Sequence, residues 1–367
     1  MKEIIRFIKK EIVLFVALLC ALFTMLFVPV DAMYIEYIDV RTLCLLWCLM
    51  AVVAGIKHVG AFDWLTYQLL NRIKNGKVLS LTLILLPFFC SMFVTNDVAL
   101  IVFVPFTLAL LEQLHLKKAI IPILVLQTIA ANLGSMATPV GNPQNLYLYA
   151  NYNLDILPFF RVVLPLTAIS LFGLILGSLP IFEKELPKFN IQKEDIKDTR
   201  KLGVYLLLFV LCLLTVFKMV NYGITTLMIL VVFILIDKEL LPELDYALLF
   251  TFVCFFVVSG NLGRIDQICV FLQKLLNEST LLTSIGASQF ISNVPSAVLL
   301  SNFTNNWQEL LAGVNIGGLG TPIASLASLI TLKFYMSAKE SNILKFLGLF
   351  TIANVIGLVI LTGYTML

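Results

Sequence analysis

The sequence predicts an all-α polytopic membrane protein built from two inverted repeats, each with a re-entrant helical hairpin and a broken transmembrane helix. Three observations carry this: an apolar composition, two long apolar stretches interrupted by polar clusters, and one Gly/Pro-rich motif that occurs twice. Hydrophobic residues make up 60% of the chain and charged residues 13%, with a mean hydropathy of +0.99; soluble domains hold about 45–50% apolar and about 25% charged residues. Apolar runs of roughly 20 residues, long enough to cross about 30 Å of hydrocarbon, recur from Glu11 onward. The net charge of +3 is small and unevenly spread, so it reports membrane orientation rather than a nucleic-acid surface. The seven cysteines form no CxxC pair and no Cys/His cluster with metal spacing, and read as small buried hydrophobes.

Continuous or broken spans are expected at 11–30, 39–57, 119–150, 156–181, 201–217, 221–236, 244–260, 307–336 and 342–366. Residues 1–10 resemble the charged start of a signal peptide, but cleavage chemistry is missing, so the first run is expected to be a retained span. The stretches 78–112 and 280–304 are interrupted by Thr95-Asn96-Asp97 and by Ser292-Asn293. Two half-length helices meeting at a buried turn fit that pattern better than one through-span. Residues 60–73 and 262–276 mix charged and apolar positions at helical spacing and read as interfacial amphipathic helices.

Basic loops stay cytoplasmic. Lys2, Arg6, Lys9 and Lys10 therefore put the N-terminus inside, and Asp31, Glu36 and Asp39 mark the outer side. Arg72, Lys74, Lys77, Lys117, Lys118 and the basic loop from Glu183 to Lys201 return to the cytoplasm. The expected organisation is a first repeat over 1–181, a cytoplasmic linker plus an extra helix over 182–217, and a second repeat over 218–367. The repeat itself is direct: Asn132-Leu133-Gly134-Ser135-Met136-Ala137-Thr138-Pro139-Val140 aligns with Asn315-Ile316-Gly317-Gly318-Leu319-Gly320-Thr321-Pro322-Ile323 at an offset of 183. Asn96 and Asn293 precede these runs at an offset of 197, and Gly60-Ala61-Phe62-Asp63 echoes Gly263-Arg264-Ile265-Asp266.

Irregular backbone at membrane depth survives only when buried in protein or lining a wet cavity. The stretch 132–143, with Gly134, Pro139, Gly141 and Pro143, and the stretch 315–322, with Gly317, Gly318, Gly320 and Pro322, are not expected to be continuous helix. A break exposes amides on one side and carbonyls on the other, a pair of sites for anion and cation. Paired breaks at equivalent places point to a midplane solute site in a secondary transporter. Asp97 reads either as a proton or cation carrier or as the N-cap of the second hairpin arm. Asn96, Ser292, Asn293 and Ser296 read as tip caps or ligand contacts, and Gln289 reaches either solute or backbone. Asn142, Gln144 and Asn145 follow the first break. Motifs for ATP hydrolysis, zinc proteolysis or a nucleophile elbow are missing, which disfavours an enzyme.

The segments FVTNDVALIVFVP at 93–105, NLGSMATPVGNPQNL at 132–146, QFISNVPSAVLLSNF at 289–303 and NIGGLGTPIASLASLI at 315–330 resemble the ArsB/NhaD and citrate-transporter (CitM) branch of the ion transporter superfamily. Within that branch the chain looks most similar to the YbiR-type inner-membrane permeases. The resemblance implies a scaffold domain and a transport domain, elevator movement and a homodimer. It places the tips at Thr95, Asn96, Asp97, Ser292, Asn293 and Pro295, and the broken helices at Asn132, Gly134, Thr138, Pro139, Asn315, Gly317, Thr321 and Pro322. Ser135, Asn142, Ser296 and Gly318 complete the expected binding set, with Na⁺ expected near Asn96, Asn132, Asn293 and Asn315. Dicarboxylate carriers similar to this branch have Ser-Asn-Thr at each tip; this chain departs with Thr95-Asn96-Asp97 and Ser292-Asn293-Val294, and the carboxylate is more like arsenite and Na⁺/H⁺ exchangers. The expected function is a multi-pass inner-membrane secondary transporter of a small inorganic or organic anion, or an anion-forming solute, coupled to H⁺ or Na⁺. No further cofactor and no nucleic acid are expected, and the lipid bilayer and a second copy are the partners. Alternatives are an Na⁺/H⁺ antiporter without organic solute and a non-transporting receptor or channel-like module.

Overall fold

The computed structural model describes residues 11–70, 73, 75–181, 194–338 and 341–367. Among these residues the regular structure is entirely helical. The basic N-terminus, Arg72, Lys74 and most of the loop after Ile181 lie outside the described residues, so the charges that carry the orientation reading are only partly in view.

The first half runs α1 (Ile12–Met25), a single turn α2 (Met33–Glu36), α3 (Val40–His58), α4 (Ala61–Leu70), α5 (Gly76–Cys90), α6 (Asn96–Gln113), α7 (Lys117–Ser135), α8 (Pro143–Asn151) and α9 (Ile156–Ser178). After the linker come α10 (Thr199–Val216), α11 (Tyr222–Ile236), a 3₁₀ turn (Lys238–Glu243), α12 (Tyr246–Leu262), α13 (Asp266–Glu278), α14 (Thr280–Ile291), α15 (Asn293–Ser301), α16 (Trp307–Ile316), α17 (Leu326–Met336) and α18 (Ile343–Met366). Six of these helices, α3, α6, α7, α9, α10 and α18, are long and apolar enough to cross a membrane, and α12 with α13 passes the same test as a pair bent by 100°. The bend sends the amphipathic α13 away from the line of α12, as an interfacial helix requires. At that corner Arg264 donates to both carboxylate oxygens of Asp31, at 3.1 and 2.7 Å, and to the Tyr37 hydroxyl at 3.1 Å. The Arg264 hydrogen bond holds the Asp31 carboxyl below the usual carboxylate range, so this clamp is intact at neutral pH and weakens as pH falls through that lowered value.

The outer surface is apolar where lipid is expected. On α18, Ile352, Val355, Ile356, Val359 and Ile360 are exposed, and on α11 so are Leu227, Ile234 and Leu235. The interior, by contrast, holds many buried Asn, Ser and Thr side chains, an arrangement that suits hydrocarbon as the solvent. The cysteines are all free; Cys48, Cys212 and Cys254 are buried and Cys20 faces outward on α1.

Two apolar cores divide the molecule. One gathers α3, α8, α10, α11, α12 and α15 around Val52, Tyr205, Phe233 and Phe256. The other gathers α5, α6, α7, α9, α17 and α18 around Phe88, Leu124, Leu133 and Phe350. The breaks lie between them. Two hairpins, α5–α6 and α14–α15, each lay their first arm along the first half of the following broken helix, α5 on α7 and α14 on α16. Their second arms exchange: α6 packs on α17, and α15 packs on α8.

The helix boundaries refine the expected pattern in three places. Helix α7 continues through Asn132 and Gly134 to Ser135, and its break covers only 136–142; the second break, 317–325, is longer. Gly134 stays helical because nothing before Pro139 prevents it. Its bare Cα instead lets α7 press on the hairpin: an added Cβ would sit 2.1 Å from the Phe88 carbonyl oxygen. At the matched Gly317, a Cβ would lie 2.7 Å from the side chain of Ser288. Both glycines thus allow close helix-to-hairpin contact. The hairpin arms also differ, with 15 and 18 residues in the first and 12 and 9 in the second. Only the second pair is half-length. Finally, the N-cap of α6 is Thr95, whose extended backbone opens the helix, and Asp97 sits in its first turn; the N-cap reading of Asp97 is not met.

Gly134→Ala is expected to abolish the folded protein in detergent size-exclusion chromatography, because backbone cannot yield by that distance. Gly173→Ala, where nothing lies within 4 Å, should leave the elution profile unchanged.

Candidate functional site

The two breaks abut, and buried side-chain amides stitch them together. Asn132, near the end of α7, accepts from the Asn96 amide and from the Ser325 hydroxyl, both at 2.9 Å. Asn315, near the end of α16, accepts from the Asn142 side-chain amide at 3.1 Å and donates to the side-chain Oδ1 of Asn145 at 2.7 Å. The offset of 183 that relates Asn132 to Asn315 also relates Asn142 to Ser325. The bonds Ser325 to Asn132 and Asn142 to Asn315 are therefore exchanged by the internal repeat. A second exchange involves the threonines: the Thr138 hydroxyl donates to the Met92 carbonyl and the Thr321 hydroxyl to the Gln289 carbonyl, and Met92 and Gln289 differ by the same 197 as Asn96 and Asn293.

These bonds answer where the broken backbone finds its partners. The Asn142 side-chain Oδ1 caps α8 by accepting the Asn145 backbone amide at 2.8 Å, and Pro143 opens the helix without needing a partner. The Asn145 side chain then donates to the carbonyls of Met136 and Thr138 at 3.0 and 3.1 Å. In the second break Gln289 does the equivalent work, donating to the carbonyls of Gly317 and Leu319 at 3.0 Å and accepting from the Thr321 amide at 2.9 Å. Gln289 thus reaches backbone. Carbonyls expected to be free for a cation are, at these four positions, already occupied by side-chain amides.

The unpaired buried polar atoms lie elsewhere. Around the first break and its tip they are Asn96 Oδ1, Asp97 Oδ1, Asn132 Nδ2 and Gln144 Oε1, and just after the second break Ser328 Oγ. Asn96 is 5% exposed and Asn132 6%. In the second half Asn293 Oδ1 accepts from Ser292 at 3.4 Å, the Asn293 backbone amide donates to the Ala324 carbonyl at 2.9 Å, and both amide atoms of Asn315 are paired. Buried polar groups without a protein partner cost about 1–3 kcal/mol each, so the three acceptor oxygens and one donor grouped beside the first break are the candidate contacts for water, ion or solute.

A cavity of about 200 Å³ reaches this region from one side. Thr95 and Asp97 at the first tip and Asn142 at the break form its inner wall, while Lys57, Glu243 and Asp245 stand on the wall made by α3 and the turn before α12. Of the expected site residues, the structure brings Asn96, Asn132, Ser135, Asn142 and Asn315 into one network, with Asn142 also donating to Ser135 at 3.1 Å. Thr95 and Asp97 line the cavity. Ser292 and Asn293 sit against Ala324, and Ser296 bonds back to the Ser292 carbonyl at 2.8 Å. Gly318 packs against the Asn293 amide. Pro139 and Pro295 are buried among neighbours, whereas Thr321 is exposed and Pro322 half-buried. Ser325, Asn145 and Gln144 belong to the network or its unpaired set as well. Their signal was the Asn-Pro-Gln-Asn run after the first break and its aligned serine.

Sequence comparison matches residues 4–312 to the citrate transporter family model. An uncharacterized transporter of Methanocaldococcus jannaschii is 35% identical over 92% of this chain and 91% of its own length. The inner membrane protein YbiR of Escherichia coli is 29% identical over 81% of this chain and 80% of its own. A silicon efflux transporter of Oryza sativa, LSI3, is 34% identical over 35% of this chain and 26% of its own. A helical architecture with several membrane-length spans, two abutting breaks and these matches lead to one assignment: the chain belongs to the citrate transporter family and is a multi-pass membrane transporter of the ion transporter superfamily rather than an enzyme.

Proposed function

We propose that the protein is a secondary active transporter that moves a small oxygen-rich anion, or a solute that forms one, across the inner membrane in exchange or company with H⁺ or Na⁺. The observation that carries this is the set of unpaired buried groups at the first tip and the facing end of α7, Asn96 Oδ1, Asp97 Oδ1 and Asn132 Nδ2, beside a cavity that Asp97 lines. An amide donor suits an oxyanion or hydroxyl oxygen, while the acceptors suit a cation or a protonated group. The names of the family and of one relative, a citrate transporter and a silicon efflux transporter, agree with a small oxygen-rich solute.

In this reading the halves over 1–181 and 218–367 are inverted repeats, with 182–217 as linker and extra helix. The exchanged bonds and exchanged hairpin arms support it. The helices α3, α10, α11 and α12 act as scaffold, and the hairpins with the broken helices move against them. By the charge rule the N-terminus, Lys57 and the loop before α12 are cytoplasmic, so the cavity is the inward access route. The tips are unequal: the first supplies a carboxylate and unpaired side-chain oxygens, and the second half supplies the pairing that holds Asn142 and Asn145. A second copy and the bilayer complete the transporting unit.

An Na⁺/H⁺ antiporter without organic solute is the second reading, favoured by acceptors outnumbering the donor among the unpaired atoms. Proteoliposome uptake of labelled citrate, succinate, arsenite and phosphate, beside dye-reported Na⁺/H⁺ exchange, separates the two. Counterflow with pre-loaded unlabelled solute accelerates entry through a carrier and not through a channel. Asp97→Asn is expected to remove the pH dependence of transport with folding intact; the same pH profile as the parent protein would take Asp97 out of the coupling role. Asn132→Ala should weaken the apparent affinity for the transported species by about tenfold, the worth of one buried hydrogen bond of about 1.4 kcal/mol. An unchanged KM would place the ligand elsewhere.

A further inference from the structure

A second cavity, of about 380 Å³, lies at the opposite end of α7 from Asn132, between the start of that helix and the turn joining α17 to α18. Lys117, Lys118 and Lys345 line it, with Tyr335 and Asn342 on the same wall, and Glu112 is the carboxylate among its described lining residues. Lys117 and Lys118 occupy the first turn of α7 and Lys345 the first turn of α18, and neither helix has an acidic residue there. A helix start carries a partial positive charge that favours Asp or Glu and disfavours lysine. Here two helix starts and three ammonium groups face one space, and among the described residues neither Lys118 nor Lys345 has a carboxylate partner. The Asn342 backbone amide is held by the Tyr335 hydroxyl at 2.8 Å, and the Asn342 side chain accepts from the Lys345 amide at 3.0 Å. These bonds fix the start of α18, and with it the position from which the Lys345 side chain projects.

The surroundings are those of a membrane surface. One turn of α18 carries Ile343 and Leu344, 38% and 85% exposed, directly beside Lys345, and Ile120 and Ala338 form an apolar part of the cavity wall. Ammonium groups above and bare apolar side chains alongside match a phosphodiester with its acyl chains. We propose that this cavity is a binding site for the phosphate headgroup of an anionic phospholipid, drawn from the leaflet that these lysines face. The charge rule makes that leaflet the cytoplasmic one. Lys118 and Lys345 supply the charge-assisted donors, and the exposed face of α18 takes the acyl chains.

The test uses the full-length protein, delipidated in neutral detergent and titrated with phosphatidylglycerol, with phosphatidylcholine of the same chains, or with inorganic phosphate, and read by native mass spectrometry and thermal shift. Phosphatidylglycerol should bind and stabilise, and the other two should not. The double variant Lys118→Gln/Lys345→Gln should bind it about 30-fold more weakly, since each surface lysine contributes roughly fivefold to attraction for an acidic lipid. Lys118→Arg/Lys345→Arg should restore binding. If the double Gln variant fails to fold, the single Lys345→Gln should still show about fivefold weakening. Unchanged affinity in the Gln variants, equal binding of phosphatidylcholine, or equal protection by inorganic phosphate would each overturn the lipid site; the last would assign it to free phosphate.

Discussion

Unpaired peptide groups cannot be left in hydrocarbon, and that constraint organises this molecule. A chain that breaks two helices at membrane depth must bring partners to the broken ends, because each orphaned amide or carbonyl costs several kcal/mol there. The partners here are side-chain amides. Asn145 threads the first break and Gln289 the second, while Asn132, Asn142, Asn315 and Ser325 join one break to the other. Two segments that are each untenable alone become tenable together. The surrounding apolar cores then have one task in common, to keep the breaks apposed and away from lipid.

The same accounting locates the chemistry. Where backbone is satisfied by protein it is less available to a ligand, which is why the proposed site rests on side chains left unpaired. Four of these lie at the first tip and break, Asn96, Asp97, Asn132 and Gln144, and Ser328 lies beside the second. The repeat is symmetric in its stitching and asymmetric in its tip residues. Val294 stands where the first tip has Asp97, so only one tip offers a carboxylate.

Much of this was legible in the residues themselves. The duplicated Asn-to-Pro motif, the polar interruptions and the apolar runs located nearly every helix, including the amphipathic α4 and α13. Local pattern could not show which half a side chain would bond to: that Asn142 meets Asn315 and Ser325 meets Asn132 follows from the packing of distant segments. Nor could it place the break in α7, because Gly134 is compatible with helix and its purpose, close contact with Phe88, is visible only in three dimensions. Asp97 as a helix N-cap was a reasonable local reading, overridden by the extended Thr95 before it. The lysine-lined cavity was invisible for a similar reason, since Lys118 and Lys345 are far apart in the chain and are united by α7 and α18 starting side by side.

The apposition of the two breaks is open to direct measurement. In a variant with the native cysteines replaced, Asn142→Cys with Asn315→Cys, and separately Asn132→Cys with Ser325→Cys, would be treated in membranes with a short bifunctional thiol reagent. The account predicts an intramolecular cross-link in both pairs, seen by protease mapping, and none between Asn142→Cys and Thr304→Cys. Free thiols in both pairs after treatment, in protein that elutes as folded, would contradict it.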